Sequence, residues 1–160
     1  MNNDLTHLNE DGSVHMVDVG EKPETERRAV FQSRVRMGRT LFEKLEQSAL
    51  SKGDALNTAR IAAIQAAKRT AHLIPLCHPV FLTSIEVRFE LEKETYSVRI
   101  EAEARTVSAT GVEMEALVAA QTAAMTLYDM GKAVERGMVI TDSRLLHKSG
   151  GKSGSYQAEK

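Results

Sequence analysis

Two neighbouring stretches of this chain alternate between apolar and polar side chains at a period of two. In the first, Ile85, Val87, Phe89 and Leu91 alternate with Glu86, Arg88 and Glu90; in the second, Tyr96, Val98, Ile100, Ala102 and Ala104 alternate with Ser97, Arg99, Glu101 and Glu103. Only a β-strand sends successive side chains to opposite faces, so both stretches are strands. The link through Glu92 and Thr95 is long enough only for an antiparallel return. The resulting hairpin has one charged face and one apolar face, and the apolar face needs a covering layer.

Helices around the hairpin can supply that layer. Residues 39–49 carry Leu41, Phe42 and Leu45 as an apolar stripe. Asp54 is placed to cap a helix over 55–72, in which Leu56, Ala59, Ala63, Ala67 and Ile74 track one face. Thr110-Gly111 opens an alanine-rich helix over 112–136 that Gly137 ends. Residues 29–37 and 139–146 read as the first and last strands. The order is that of an α+β, ferredoxin-like two-layer sandwich: an antiparallel sheet packed by helices, with an extra helix in the first crossover. Residues 1–25 are polar and read as a mobile N-terminal segment, residues 26–147 as a single catalytic domain, and residues 148–160 as a Gly/Ser/Lys-rich tail.

Composition narrows the function. A net charge of −1 argues against a general nucleic-acid or membrane surface, so any anion site is local. One cysteine allows no internal disulfide and fits a reducing cytoplasm. A ferredoxin-like sheet used for RNA would show aromatics, which are only 4% here.

Three places carry candidate chemistry. Leu76-Cys77-His78 lies in a loop stiffened by Pro75 and Pro79. Adjacent Cys77 and His78 do not make a metal pair, and a nucleophile–base pair is usually distant in sequence; a buried thiol beside a capping histidine remains equally open. Asp129 and Lys132 are three apart on the long helix, either as a solvated ion pair or as an acid/base pair in partly apolar surroundings beside Tyr128 and Met130. Glu113-Met114-Glu115 starts the same helix, where its dipole favours acidic groups. Met114 and Asp129 are then ~22 Å apart along the axis, so a small ligand touching both implies a site completed across a subunit interface. The tail resembles a P-loop only superficially: Gly151-Lys152-Ser153 would need a glycine where Leu146 stands.

Read together, Leu5-Thr6-His7-Leu8, His15-Met16-Val17-Asp18-Val19, Thr58-Ala59-Arg60-Ile61-Ala62, Ile64-Gln65-Ala66-Ala67-Lys68-Arg69-Thr70, Leu73-Ile74-Pro75-Leu76-Cys77-His78-Pro79, Gly111-Val112-Glu113-Met114-Glu115-Ala116-Leu117, Tyr128-Asp129-Met130 and Lys148-Ser149-Gly150-Gly151-Lys152-Ser153-Gly154 resemble one family. It is the cyclic pyranopterin monophosphate synthase family, the C protein of molybdenum-cofactor biosynthesis. The resemblance implies a lyase that converts 3',8-cyclo-7,8-dihydroguanosine 5'-triphosphate, made by an upstream radical SAM enzyme, into cyclic pyranopterin monophosphate and pyrophosphate. It implies a cytoplasmic homohexamer, a trimer of dimers with active sites at dimer interfaces. By that pattern Asp129 is the catalytic aspartate with Lys132 beside it. Leu76, Cys77, His78, Met114 and Glu115 fall at substrate-contacting positions, and Lys52, Arg27, Glu113 and Lys148 at further polar ones. The family's Asp-Met-Cys-Lys motif has Gly131 in place of cysteine here, which loosens that helical turn. Lys68 and Arg69 are further possible anion clamps.

The reaction needs proton transfers and no redox change. No protein-held cofactor or metal is expected, although a magnesium ion carried by the triphosphate is compatible. Two other classes stand beside the lyase. A nucleotide-shielding carrier would need the basic pocket but not the Asp129–Lys132 pair, and a zinc-dependent cyclohydrolase would need a cysteine/histidine set that the sequence lacks.

Overall fold

The computed structural model describes residue 9 and residues 11–159; the Leu5-Thr6-His7-Leu8 motif and part of the 1–25 segment lie outside the described residues. Strand β1 (Thr25–Arg36) is followed by helices α1 (Arg39–Glu46), α2 (Ala55–Ala67) and α3 (Thr70–Leu73). The hairpin β2 (Ser84–Glu92) and β3 (Ser97–Ser108), helix α4 (Glu113–Gly131), β4 (Val139–Ser149) and the short β5 (Tyr156–Gln157) complete the described elements. The sheet is antiparallel in the order β2-β3-β1-β4-β5. Its first four strands have the ferredoxin-like arrangement, and β5 adds an edge that the sequence pattern does not predict.

The predicted hairpin register is present: Ile85 pairs with Ala104, Val87 with Ala102, Phe89 with Ile100 and Leu91 with Val98. On β1, Ala29, Phe31, Ser33 and Val35 continue the same face. The helices cover this side, and the core joins Leu41, Phe42 and Leu45 of α1 to the alanine faces of α2 and α4. Small residues allow close approach of backbones, and Ala59, Ala63, Ala119, Ala120 and Ala123 are all fully buried.

Several boundaries differ from the sequence pattern. The helix over 55–72 stops at Ala67, because the Arg69 backbone leaves helical geometry at φ −115°, ψ 13°, before α3 begins. Its start is as predicted, with the Asp54 side chain accepting from the Asn57 N–H at 3.0 Å. Helix α4 ends at Gly131 rather than Arg136. There is nothing loose about Gly131: a Cβ added there would lie 2.9 Å from Leu41 and 3.1 Å from Met138. Tyr96 belongs to the hairpin turn, not the strand; its φ is 47° and its ring meets Phe42 edge-on at 5.8 Å.

The charged face of the hairpin is also drier than simple alternation implies. Glu103 is 3% exposed on that side. Arg28 grips it through two hydrogen bonds of 2.9 and 2.8 Å, Arg105 adds one of 2.6 Å, and Arg88 approaches to 3.2 Å. Arg28 first, and then Arg105, hold its carboxyl down to about 2 despite the opposing effect of burial.

Candidate active site

Helix α4 divides the predicted site residues between its two ends. Around its first turn lie two adjoining cavities. The smaller, about 310 Å³, takes Leu76, Cys77 and His78 from the loop after α3, Met114 and Glu115 from α4, and Val17 and Val19 from the chain before β1. The larger, about 730 Å³, lies between β1, the 109–113 turn and the end of β4, and is lined by Arg27, Lys148, Lys22 and Lys152. Lys22, Thr110, Gly111 and Glu113 line both cavities.

The two cavities differ in chemistry. Apolar side chains and the buried Glu115 dominate the smaller one. Burial pushes the Glu115 carboxyl up to about 6, with the neighbouring Glu113 charge acting in the same direction. Burial, and secondarily Glu115, also push the Cys77 thiol up, which disfavours the nucleophilic thiolate. In the larger cavity, Lys22, Arg27, Lys148 and Lys152 form no ion pair among the described residues. Arg27 is instead fixed by backbone carbonyls, donating to Ser108 O and Ala109 O at 3.1 Å each, so its charge is not neutralised. Lys148 likewise donates only to the Ser153 hydroxyl.

The tail is folded over this arginine. Gly150 and Gly151 have φ of +93° and +76°, and a Cβ on Gly151 would overlap the Arg27 guanidinium. At Gly150 a Cβ would also overlap the backbone carbonyl of Glu26, so only glycine fits both the conformation and the space at that position. The turn returns the chain to pair β5 with β4, His147 opposite Gln157 and Lys148 opposite Tyr156. Lys148 and Ser149 therefore belong to the sheet.

The other group sits at the C-terminal end of α4. Lys132 Nζ donates to Asp129 Oδ1 at 2.6 Å. Lys52, from the turn between α1 and α2, donates to Asp129 Oδ2 at 3.0 Å and to its backbone carbonyl at 2.8 Å. The predicted apolar surroundings are absent within this chain, because Asp129 is 57% exposed. Hydrogen bonds from Lys132 and then Lys52 hold the Asp129 carboxyl below its ordinary range, and Asp129 raises Lys132 in return. Asp129 and Lys132 thus each favour the other's charged form.

Within one chain the two groups stay apart, with Glu115 and Asp129 ~21 Å from each other along the helix. Lys68 and Arg69 are exposed and line neither cavity. The sequence reading does not assign Val17, Val19, Lys22 or Thr25 to the site: Val17 and Val19 enter only within a motif of the family resemblance, and the stretch is polar without periodicity. The usable signal is Asp18-Val19-Gly20, where the Asp18 side chain accepts from the Gly20 N–H at 2.8 Å and turns the chain towards β1. Among the described residues no three His, Cys, Asp or Glu side chains group as metal ligands, and no helix is long and apolar enough to cross a membrane.

Proteins named cyclic pyranopterin monophosphate synthase are similar along nearly the whole sequence. That of Oleidesulfovibrio alaskensis is 54% identical over 158 residues, covering 99% of each chain. That of Nitratidesulfovibrio vulgaris is 54% identical over 155 residues, covering 97% of this chain and 96% of its own. A third, from Parvibaculum lavamentivorans, is 51% identical over 155 residues and 97% of both chains. Residues 16–151 match the MoaC family, and the protein belongs to that family.

Proposed function

We propose that this protein is a cytoplasmic lyase that converts 3',8-cyclo-7,8-dihydroguanosine 5'-triphosphate, supplied by a radical SAM enzyme, into cyclic pyranopterin monophosphate and pyrophosphate. Relatives at 51–54% identity carry the synthase name. The observation that carries the reading is the pairing of cavities: a largely apolar one with a buried carboxyl adjoins one lined by five basic side chains, of which Lys22, Arg27, Lys148 and Lys152 form no ion pair among the described residues and Arg28 is paired with Glu103. The first suits a purine-derived ring system and the second a polyphosphate.

The acid/base work falls to Asp129 and Lys132. Closing the cyclic phosphate forms a bond from a ribose-derived hydroxyl to the α-phosphorus and breaks the α–β anhydride. The hydroxyl proton must go to a base, and the rebuilt ring must receive protons. In this reading Lys132 is the general acid, Asp129 its base partner, and Lys52 the group that anchors Asp129. The exposed pair is poorly tuned alone, since Asp129 is shifted down and Lys132 up, each towards its charged form. Covering it with the cavity end of a second copy would desolvate it, raising the carboxyl and lowering the ammonium towards neutrality. We therefore place the working site at a dimer interface of a homohexamer, with Asp129, Lys132 and Lys52 from one subunit facing Arg27, His78, Glu115 and Lys148 of another.

Pyrophosphate release and pterin formation from the purified cyclic nucleotide test this reading. Wild type should form both products, while Asp129→Asn should fold normally and lose about 10²–10⁴-fold in turnover, the usual scale of acid–base catalysis. Tight binding by wild type without product would make the protein a carrier.

A further inference from the structure

We propose that Glu135 is a positioning residue for the Asp129–Lys132 pair: its carboxylate ties the turn that carries Lys132 to the junction of β1 and α1. This rests on the acid/base reading of that pair. Lys132 is the first residue beyond α4, and residues 132–138 belong to no helix or strand. The Val134 and Glu135 N–H groups both donate to Gly131 O, at 2.9 and 3.1 Å, so the chain folds back directly after Lys132. Two side chains then hold this turn. The Tyr128 hydroxyl donates to Arg136 O at 3.1 Å, a bond back to α4 itself. Glu135 Oε2 accepts from the Gly38 N–H at 2.7 Å, across 97 positions of sequence. Of these two, only the second reaches a different element.

Gly38 is a firm anchor. Its neighbour Met37 donates to Tyr96 O at 3.0 Å, its own carbonyl receives the Phe42 N–H at 3.1 Å, and Met37, Leu41 and Phe42 are buried in the core. The contact is also shaped for a carboxylate. Helix α1 has no acidic residue in its first turn and no side-chain cap, so the positive end of its dipole is left to Glu135. A Cβ at Gly38 would lie 2.9 Å from Oε2, so any larger residue there pushes the carboxylate away. Glu135 is half-buried and forms no ion pair among the described residues, which leaves its carboxylate to this N–H. The Lys132–Asp129 contact itself lies on an exposed surface. Fixing the turn beyond Lys132 therefore sets the geometry of the pair before substrate arrives.

Steady-state turnover of the cyclic nucleotide by the full chain tests the proposal. Glu135→Ala should lower kcat about tenfold and leave KM within about twofold, because a displaced proton donor affects the chemical step rather than the binding contacts. Glu135→Gln keeps an acceptor oxygen and should recover most of that loss. Gly38→Ala should reproduce the effect of Glu135→Ala, and the double variant should be no worse than either alone, as expected for two halves of one contact. A kcat within twofold of wild type for Glu135→Ala, or losses that multiply in the double variant, would overturn the role of Glu135. If wild type itself forms no product, the lyase reading falls, and carbon-13 titration of the Asp129 carboxyl decides the role separately. Lys132 holds that carboxyl down, so Glu135→Ala should move its titration up; an unchanged titration would overturn the tie.

Discussion

The two ends of α4 hold carboxylates under opposite regimes. At the N-terminal end Glu115 is buried in a cavity wall, forms no ion pair among the described residues, and has its charged form disfavoured, with a pKa of about 6. At the C-terminal end Asp129 is exposed, gripped by Lys52 and Lys132, and its charged form is favoured. One end has a shaped, desolvated space but no acid/base pair beside it; the other has the pair but no enclosure. Chemistry on a charged nucleotide needs both. The contrast is the physical reason to expect that neither end works without a second subunit.

Glu103 separates the two variables, being buried like Glu115 but paired like Asp129. Its folded pKa of about 2 lies below the ordinary 4.5. Its contribution is therefore complete above pH 4.5 and is lost as pH falls through 2. The shift corresponds to about 3 kcal/mol. Glu103→Gln should lose about that much at pH 7 in chemical denaturation, and should show a flatter stability profile between pH 4.5 and 2. A loss no larger than that of a surface charge would mean that burial on the sheet's outer face does not strengthen the arginine cluster.

Glu115 should behave in the opposite sense and more weakly. Its folded pKa is raised from 4.5 to about 6. The protonated form favours folding, so that contribution is present below pH 4.5 and is lost as pH rises through 6. At pH 7–8 Glu115→Gln should stabilise the protein by about 2 kcal/mol, with the gain vanishing near pH 4. Turnover should fall at the same time, the signature of a group kept for function at a cost in stability. A stability gain that persists at pH 4 would show that desolvation of the charge is not its origin.

Much of the scaffold was legible because the hairpin alternation is strict and its register follows from it. Asp54 was readable as a cap for a similar reason, since a local rule and the fold agree. The break after Ala67 was not, because Lys68 and Arg69 are good helix formers and nothing local forbids continuing. Glu103 looked like an ordinary solvent-facing strand residue, and its burial depends on arginines that arrive from β1, β2 and β3. The candidate site divided in the same way. The family resemblance pointed to Arg27, Lys52, Glu113, Asp129 and Lys148, and helical rise alone put Met114 far from Asp129. What no periodicity marks is the wall formed by Val17, Val19 and Lys22, since a segment held by an Asx turn and a proline has no repeating pattern. The tail's glycines were visible, but their reason, the passage of the backbone over Arg27, lies in tertiary structure.

The central claim, that one working site draws on the opposite α4 ends of two subunits, is tested most directly by mixing two inactive variants. Asp129→Asn damages the exposed triad and Arg27→Ala the basic cavity. If the two halves come from different subunits, unfolding the variants together and refolding them at equal amounts should restore about a quarter of wild-type turnover. In a symmetric dimer, half of the randomly formed pairs are mixed, and each mixed pair has one undamaged site. No recovery above the separate variants, with mixed oligomers shown to have formed, would contradict the shared site and require both groups to act within one chain.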